Sequence, residues 1–295
     1  MLRSRLKGAL ETDVPMDSCT SFKVGGVADM LVYPENIEDM KETVLYAKKE
    51  GLDLFILGFG SNLLVGDRGI RGIVLNLARG FKGIRVMNDN MLDCSAGASL
   101  GLVVSKSAKH GLKGAEFLSG IPGTLGGAVR MNAGAFGSEM KDIIETVTFM
   151  NKDGEIIKRG KENLEFEYRN LHIDDGSIIL SATLALETDN EEAVRKRIRH
   201  FAEERAIRQP LGRATAGSVF KNPPGDFAGR LIEEAGLKGK LVGGAMVSEK
   251  HANFIENVGG ASAADILALI EIIKDMVFKN SGIMLETEVQ IVGDK

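Results

Sequence analysis

The chain has 295 residues, 44% hydrophobic and 26% charged, with a net charge of −4. That balance excludes a disordered chain, and the absence of a basic block argues against a nucleic-acid footprint; the length suits two or three lobes. No apolar run reaches membrane-spanning length. The basic start Met1-Leu-Arg-Ser-Arg-Leu-Lys-Gly lacks the apolar core of a secretion signal, so a cytoplasmic protein without membrane attachment is expected.

After a short N-terminal segment, Thr20-Ser-Phe-Lys-Val-Gly-Gly26 leads into an apolar strand over 28–33, which Pro34 ends. Ile37, Met40, Val44 and Ala47 recur at helical spacing, Gly51 supplies a C-terminal stop, and 52–57 reads as a buried strand. Strand, helix and strand in that order suggest a crossover unit with parallel pairing. Directly afterwards comes Gly58-Phe-Gly-Ser-Asn-Leu-Leu64. Leu63 stands where a dinucleotide fingerprint needs its third glycine, and no phosphate-loop Gly-Lys-Ser/Thr exists. Two readings stay open: an anion cradle of Gly58 and Gly60 N–H groups with Ser61 and Asn62 as further donors, or an ordinary turn ending a strand.

Short strands are expected over 70–75, 84–87 and 91–96, then a helix capped by Ser99 and running to His110. Residues 118–137 follow, Leu-Ser-Gly-Ile-Pro-Gly-Thr-Leu-Gly-Gly-Ala-Val-Arg-Met-Asn-Ala-Gly-Ala-Phe-Gly. Such a glycine-rich run forgoes side-chain burial and costs backbone entropy. It suits a flat or anionic ligand lying on bare main-chain N–H groups, or else a plain connection between two sheets. Beyond it, 143–150 and 155–158 flank the hairpin signal Asn151-Lys-Asp-Gly154, and 177–187 is a further strand. Asp189 and Glu192 open a basic helix that stops before Pro210, a candidate domain boundary. The last portion holds Gly217-Ser-Val-Phe-Lys-Asn-Pro223, a helix over 226–235 and a long apolar helix from Ser262 and Asp265 to Lys279. A closing strand over 284–292 places Glu286, Glu288 and Gln290 on its polar face.

Familiar catalytic constellations fail. There is no His-Glu-x-x-His or calcium loop, and His110, His172, His200 and His251 are scattered. Cys19 and Cys94 lie far apart, which supports neither a disulfide framework nor a metal site. Taken singly, Ser218 reads as a β-turn serine, Glu288 as a solvated edge carboxylate and Arg169 as a surface ion-pair residue.

Together the motifs carry more. Gly58-Phe-Gly-Ser-Asn62, Ser119-Gly-Ile-Pro-Gly-Thr-Leu-Gly-Gly-Ala128, Asn132-Ala-Gly-Ala-Phe-Gly137, Tyr168-Arg169, Gly217-Ser-Val-Phe-Lys-Asn-Pro223 and Glu286-Thr-Glu-Val289 stand in one order from Thr20 almost to the end of the chain. In that order they resemble the UDP-N-acetylenolpyruvoylglucosamine reductases (UDP-N-acetylmuramate dehydrogenases) in their shorter, type II form. The resemblance implies an α+β protein. Residues 1–76 and 77–207 would form two lobes of an FAD-binding fold of the p-cresol methylhydroxylase and vanillyl-alcohol oxidase type, and 208–295 a smaller α+β substrate-binding domain.

It further implies FAD, with Gly58, Phe59, Gly60, Ser61 and Asn62 at the pyrophosphate. Gly120, Ile121, Pro122, Gly123, Gly126, Gly127 and Ala128 would lie along the flavin and its phosphates. NADPH would be the reductant, UDP-N-acetylglucosamine enolpyruvate the substrate and UDP-N-acetylmuramate, a peptidoglycan precursor, the product; no metal, nucleic acid or membrane partner is implied. Arg169 would meet the substrate carboxylate, Glu288 the developing enolate, and Ser218 would give the proton. Tyr168, Lys221, Asn222 and Arg213 would line the substrate side, with Arg208 beside Arg213 for a diphosphate. One departure is Leu171, where a serine often follows the family arginine; it puts the hydrogen bonding around Arg169 in question. The other readings are a different flavin oxidase of the same fold and a non-catalytic nucleotide-binding module. The Ser218–Glu288 pair separates the first from the reductase, and flavin absorbance separates the second.

Overall fold

A computed structural model describes residues 2–88 and 90–294. The chain divides into two compact units: Met1–Thr12, Met30–Phe59 and Gly72–Arg205 form the first, and Asp13–Asp29, Gly60–Arg71 and Ala206–Lys295 the second. Each has its own apolar core.

The first unit is built on two sheets. One has the strand order Ala9–Pro15, Val27–Tyr33, Ile70–Asn76, Leu54–Leu57, and the last two strands pair in parallel. The expected crossover therefore needs correcting. Ile70–Asn76, which lies later in sequence, inserts between the strands that flank the first helix, so those two are not paired to each other. That helix, α1 (Ile37–Glu50), begins at Asn36, whose side chain accepts from the Asp39 amide, and ends at left-handed Gly51. Asp39 is itself buried, and its carboxylate accepts from the backbone N–H groups of Lys7, Gly8 and Glu35 at 2.8–2.9 Å.

The second sheet is antiparallel, in the order Ile156–Gly160, Ile144–Met150, Ile178–Ala185, Met91–Ser95, Ile84–Asn88. One register row carries Val147, Ala182 and Cys94 across three strands, all buried, because alternate residues face the same side. Helix α2 (Leu100–Lys109) is capped by Ser99, and the short α3 (Leu125–Arg130) by Thr124, whose hydroxyl accepts from Gly127 N. Met140–Ile143 forms α4. The long α5 (Glu191–Arg208) buries only Val194 and Arg205, so little apolar surface holds it in place. Charge does more. Arg197 bridges buried Glu116 (2.8 Å) and Asp189 (2.7 Å), and Arg205 Nε donates to the Ser119 carbonyl (3.1 Å).

The second unit packs α6 (Ala228–Glu234) and α7 (Ala263–Ser281) with a three-stranded antiparallel sheet, Leu241–Val242, Ala245–Val247 and Ile255–Asn257. Ala263, Ile266, Ile270, Ile273 and Val277 form the buried stripe of α7, at the spacing of one helix face. The α7 N-terminus is doubly satisfied: Ser262 and Asp265 form a capping box, and the Asp67 carboxylate accepts from Ala263 N (2.8 Å) and Ala264 N (3.0 Å). A parallel pair joins Leu63–Val65 to Gln290–Val292. The expected closing strand over 284–292 is thus shorter than its alternation suggests. Leu285 and Val289 are buried, but residues 284–289 run as irregular chain held by a single bridge, Phe220 to Thr287.

Among the described residues, no helix is long and apolar enough to cross a membrane, and no cluster of His, Cys, Asp and Glu is arranged to hold a metal ion.

Candidate active site

In the first unit, Gly58 ends its strand against α3: a side chain there would collide with the Thr124 hydroxyl. Two of the glycine motifs therefore meet within this unit. Phe59 beside it is exposed. The 120–128 stretch behaves differently along its length. Leu125 N and Gly126 N donate to the carbonyls of Ala98 and Ala96 (both 2.8 Å), and Gly127 N is used by the Thr124 cap. These glycines are packing and capping positions more than bare donors, and Gly126 permits close contact with Ala96. The preceding turn is the unusual part. Gly120 has φ +72°, and an added Cβ would sit 2.9 Å from Arg205 Cδ. Ser119 Oγ is buried with no hydrogen-bond partner.

Arg169 also belongs to this unit, at the tip of a hairpin whose strands are Glu165–Glu167 and Asn170–His172. Its φ of +60° is a conformation that costs a residue with a Cβ about 1–2 kcal/mol. The guanidinium lies 4.7 Å from the Tyr168 ring, Nη2 donates to the Gly134 carbonyl (3.2 Å), and Nη1 lies 3.8 Å from Glu139 Oε1. Leu171, the departure noted above, is fully buried, and its carbonyl accepts from Arg130 (3.0 Å). The Gly134 carbonyl thus accepts a hydrogen bond from Arg169, and Glu139 forms an ion pair with it.

In the second unit, Gly60 (φ +64°) packs against the backbone of Cys19, and its carbonyl accepts from Ser21 N (3.1 Å) and Ser21 Oγ (3.2 Å). The Thr20–Gly26 stretch is therefore a brace for the Gly60–Asn62 loop. Asn62 reaches further: its Nδ2 donates to the Glu288 carbonyl (3.1 Å), and Gln290 N donates to the Asn62 carbonyl (2.9 Å).

Ser218 follows left-handed Gly217 and is half-buried. Glu288 N donates to the carbonyl of the next residue, Val219 (2.7 Å), and Lys221 N donates to Glu286 O (2.8 Å). The serine turn and the glutamate segment are thus laced together by main chain. Asn253, buried, closes the turn from behind: its Oδ1 accepts from Phe220 N (2.9 Å), and its Nδ2 donates to Phe220 O (2.8 Å). The remaining expected substrate residues are dispersed in role. Lys221 Nζ lies 3.3 Å from Glu286 Oε2, Asn222 Oδ1 accepts from Ala228 N at the start of α6 (3.1 Å), and exposed Arg213 lies 3.7 Å from buried Glu256.

Several residues that shape these sites escaped the reading by motif. Glu139, Arg205 and Asn253 act through side-chain contacts that no motif marked. Asn132 opens one of the motifs, but its contacts with Glu139 and Glu167 were not legible there.

The chain matches two family models: the FAD binding domain over residues 28–160, and the C-terminal domain of UDP-N-acetylenolpyruvoylglucosamine reductase over 209–292. It is 47% identical to the UDP-N-acetylenolpyruvoylglucosamine reductase of Clostridioides difficile over 289 residues, 98% of this chain and 95% of the relative. It is 46% identical to that of Alkaliphilus oremlandii over 284 residues, 96% of this chain and 93% of the relative. The crystal structure of the Thermus caldophilus reductase superimposes with a TM-score of 0.84 at 37% identity, covering 97% of this chain and 99% of that one.

The residues present fit a flavin nucleotide. The orphaned Ser119 hydroxyl and the left-handed backbone at Gly120 offer neutral donors in the first unit. Gly60, Ser61 and Asn62 offer the same chemistry in the second. These sites and likenesses place the chain in the UDP-N-acetylenolpyruvoylglucosamine reductase family, as an FAD-dependent oxidoreductase.

Proposed function

We propose that the protein reduces UDP-N-acetylglucosamine enolpyruvate to UDP-N-acetylmuramate, with NADPH as the electron source. The observation that carries the reading is the pairing of the Ser218 turn with the Glu288 segment through the 2.7 Å bond from Glu288 N to Val219 O. That bond sets the main chain of the Ser218 turn against the Glu288 segment, and an oxidase of the same fold has no use for such a serine as proton donor.

FAD, when bound, would supply the hydride chemistry with NADPH as its electron source, and the β-carbon of the enolpyruvyl alkene would be the acceptor. The chain's residues handle the charge and the proton. Arg169 meets the substrate carboxylate, which becomes part of an enolate as negative charge spreads from the alkene. Glu288, in its protonated form, donates a hydrogen bond to that enolate. Ser218 Oγ gives its proton to the α-carbon, completing addition of one hydride and one proton across the double bond, and is reprotonated from solvent or through Lys221. Tyr168, Asn222 and Arg213 line the substrate side, and Gly58–Asn62 with Gly120–Ala128 hold the cofactor.

The test separates the half-reactions under anaerobic conditions. In Ser218→Ala, flavin bleaching by NADPH stays near the unsubstituted rate, while reoxidation by the enolpyruvyl nucleotide slows by about a thousandfold or more. Equal slowing of both halves overturns the proton-donor role.

A further inference from the structure

We propose that Glu139, tethered by Asn132, is a positioning residue that sets the orientation of Arg169. This rests on the reading of Arg169 as the carboxylate contact.

Two hairpins of the first unit meet around one buried amide. Residues 134–139 form the first, with Gly134 paired to Glu139, Ala135 to Ser138, and Phe136 (φ +54°) and Gly137 (φ +84°) at its tip. Positive φ at both central positions is the type I′ turn, which usually takes Asn-Gly. Here a phenylalanine bears the strain, and its ring stacks on Phe201 at 4.4 Å. The second hairpin carries Arg169. Asn132, fully buried and itself at φ +40°, joins the two: Nδ2 donates to Glu167 O (2.9 Å) and Glu139 Oε2 (3.0 Å), and Oδ1 accepts from Lys141 N (3.0 Å). An asparagine held in a strained backbone with its amide bonded to three segments is a structural pin.

The pin fixes the carboxylate that faces the arginine. Glu139 Oε2 is held by Asn132 and by Lys141 Nζ (2.8 Å), which leaves Oε1 directed to Arg169 Nη1 at 3.8 Å. Nη2 is held by the Gly134 carbonyl. Contacts on two different nitrogens set both the plane and the rotation of the guanidinium. The close approach requires a glycine at 134, where a Cβ would lie 2.8 Å from Glu139 Cγ and 3.2 Å from Arg169 Nη1. The Asn132–Gly137 motif is therefore the bed of the arginine. Lys141 also pairs with Glu139, so Arg169 is not the only cation on that carboxylate while its direction is held.

Glu139→Gln tests this, because glutamine keeps the shape and can still accept from Asn132 while losing its charge toward Arg169. The expected result is an unchanged rate of flavin reduction by NADPH, a roughly 10- to 100-fold slower reoxidation by the enolpyruvyl nucleotide, and weaker calorimetric binding of UDP-N-acetylmuramate to the oxidised holoenzyme. Glu139→Asp, which keeps the charge, recovers part of the loss. In an Arg169→Ala background, Glu139→Gln has no further effect, as a residue acting through the arginine requires. Full additivity of the two substitutions, equal slowing of both half-reactions, or normal reoxidation in Glu139→Gln overturns the inference. Unimpaired reoxidation in Arg169→Ala alone overturns instead the reading of the arginine on which it rests.

Discussion

The side chain of Asn62 donates to the backbone carbonyl of Glu288 across 3.1 Å, so a glycine-loop residue and the segment bearing the proposed acid share one hydrogen bond. The contact joins positions 226 residues apart in the chain. It ties the geometry of the Gly60–Asn62 loop in the second unit to that of the segment carrying Glu288.

Asn62→Asp is the isosteric test of that bond, since a carboxylate has no proton to give a carbonyl. Loss of one such bond costs about 1 kcal/mol, and the carboxylate–carbonyl repulsion adds to it. The urea midpoint should fall and reoxidation by the enolpyruvyl nucleotide should slow roughly tenfold. An aspartate variant with an unshifted midpoint and normal reoxidation would show that the bond is idle.

Asn253→Asp probes the brace behind Ser218. The substituted carboxylate still accepts from Phe220 N but is set against Phe220 O inside a buried site. An expected cost of about 2–4 kcal/mol follows from one unpaired and repelled carbonyl. Denaturant unfolding at neutral pH measures it; a loss under about 0.5 kcal/mol would remove the brace from the account.

At Gly120, alanine must adopt φ +72° and press on Arg205. The backbone cost is about 1–2 kcal/mol, and displacing Arg205 weakens its bond to Ser119 O. The Gly120→Ala protein should purify with less flavin per chain and rebind added FAD with lower affinity, both read from flavin absorbance. Full flavin occupancy with unaltered affinity would detach this turn from cofactor binding.

His251 gives the stability a pH dependence. Burial holds its imidazole below the ordinary value of 6.5; Lys238 pushes the same way and Glu233 opposes. The neutral ring accepts from Asn253 N at Nδ1 (3.2 Å). The unfolded chain therefore takes up a proton more readily than the folded one. This contribution is complete above 6.5 and is lost as the pH falls from 6.5 through the lowered folded value. The urea midpoint should drop as the pH falls below 6.5, and His251→Gln should flatten part of that slope. A slope identical in both proteins would assign the acid sensitivity to other groups.

Legibility in the sequence followed the range of the interactions. Helix ends were readable because caps are local: Gly51, Ser99 and the Ser262–Asp265 box each mark a boundary found in the structure. The hairpin at Asn151–Gly154 was readable for the same reason. The insertion of Ile70–Asn76 between its neighbours was not, since strand order depends on pairing that no local pattern encodes. The alternation over 284–292 imitated a strand, but the backbone of 286–288 bonds to the Ser218 turn instead of a sheet partner. Candidate residues came through motif resemblance. The residues that hold them, Asn132, Glu139 and Asn253, act across gaps that spacing does not reveal.

Cys94 sits in the buried register row of the antiparallel sheet, and burial, with a smaller push from Asp93, raises its thiol to about 12. Almost none of it is thiolate at neutral pH, so alkylating dyes and peroxide meet an inert sulfur while that sheet stays closed. Its labelling rate accordingly becomes a clock for opening of the first unit's interior, built in without any engineered probe.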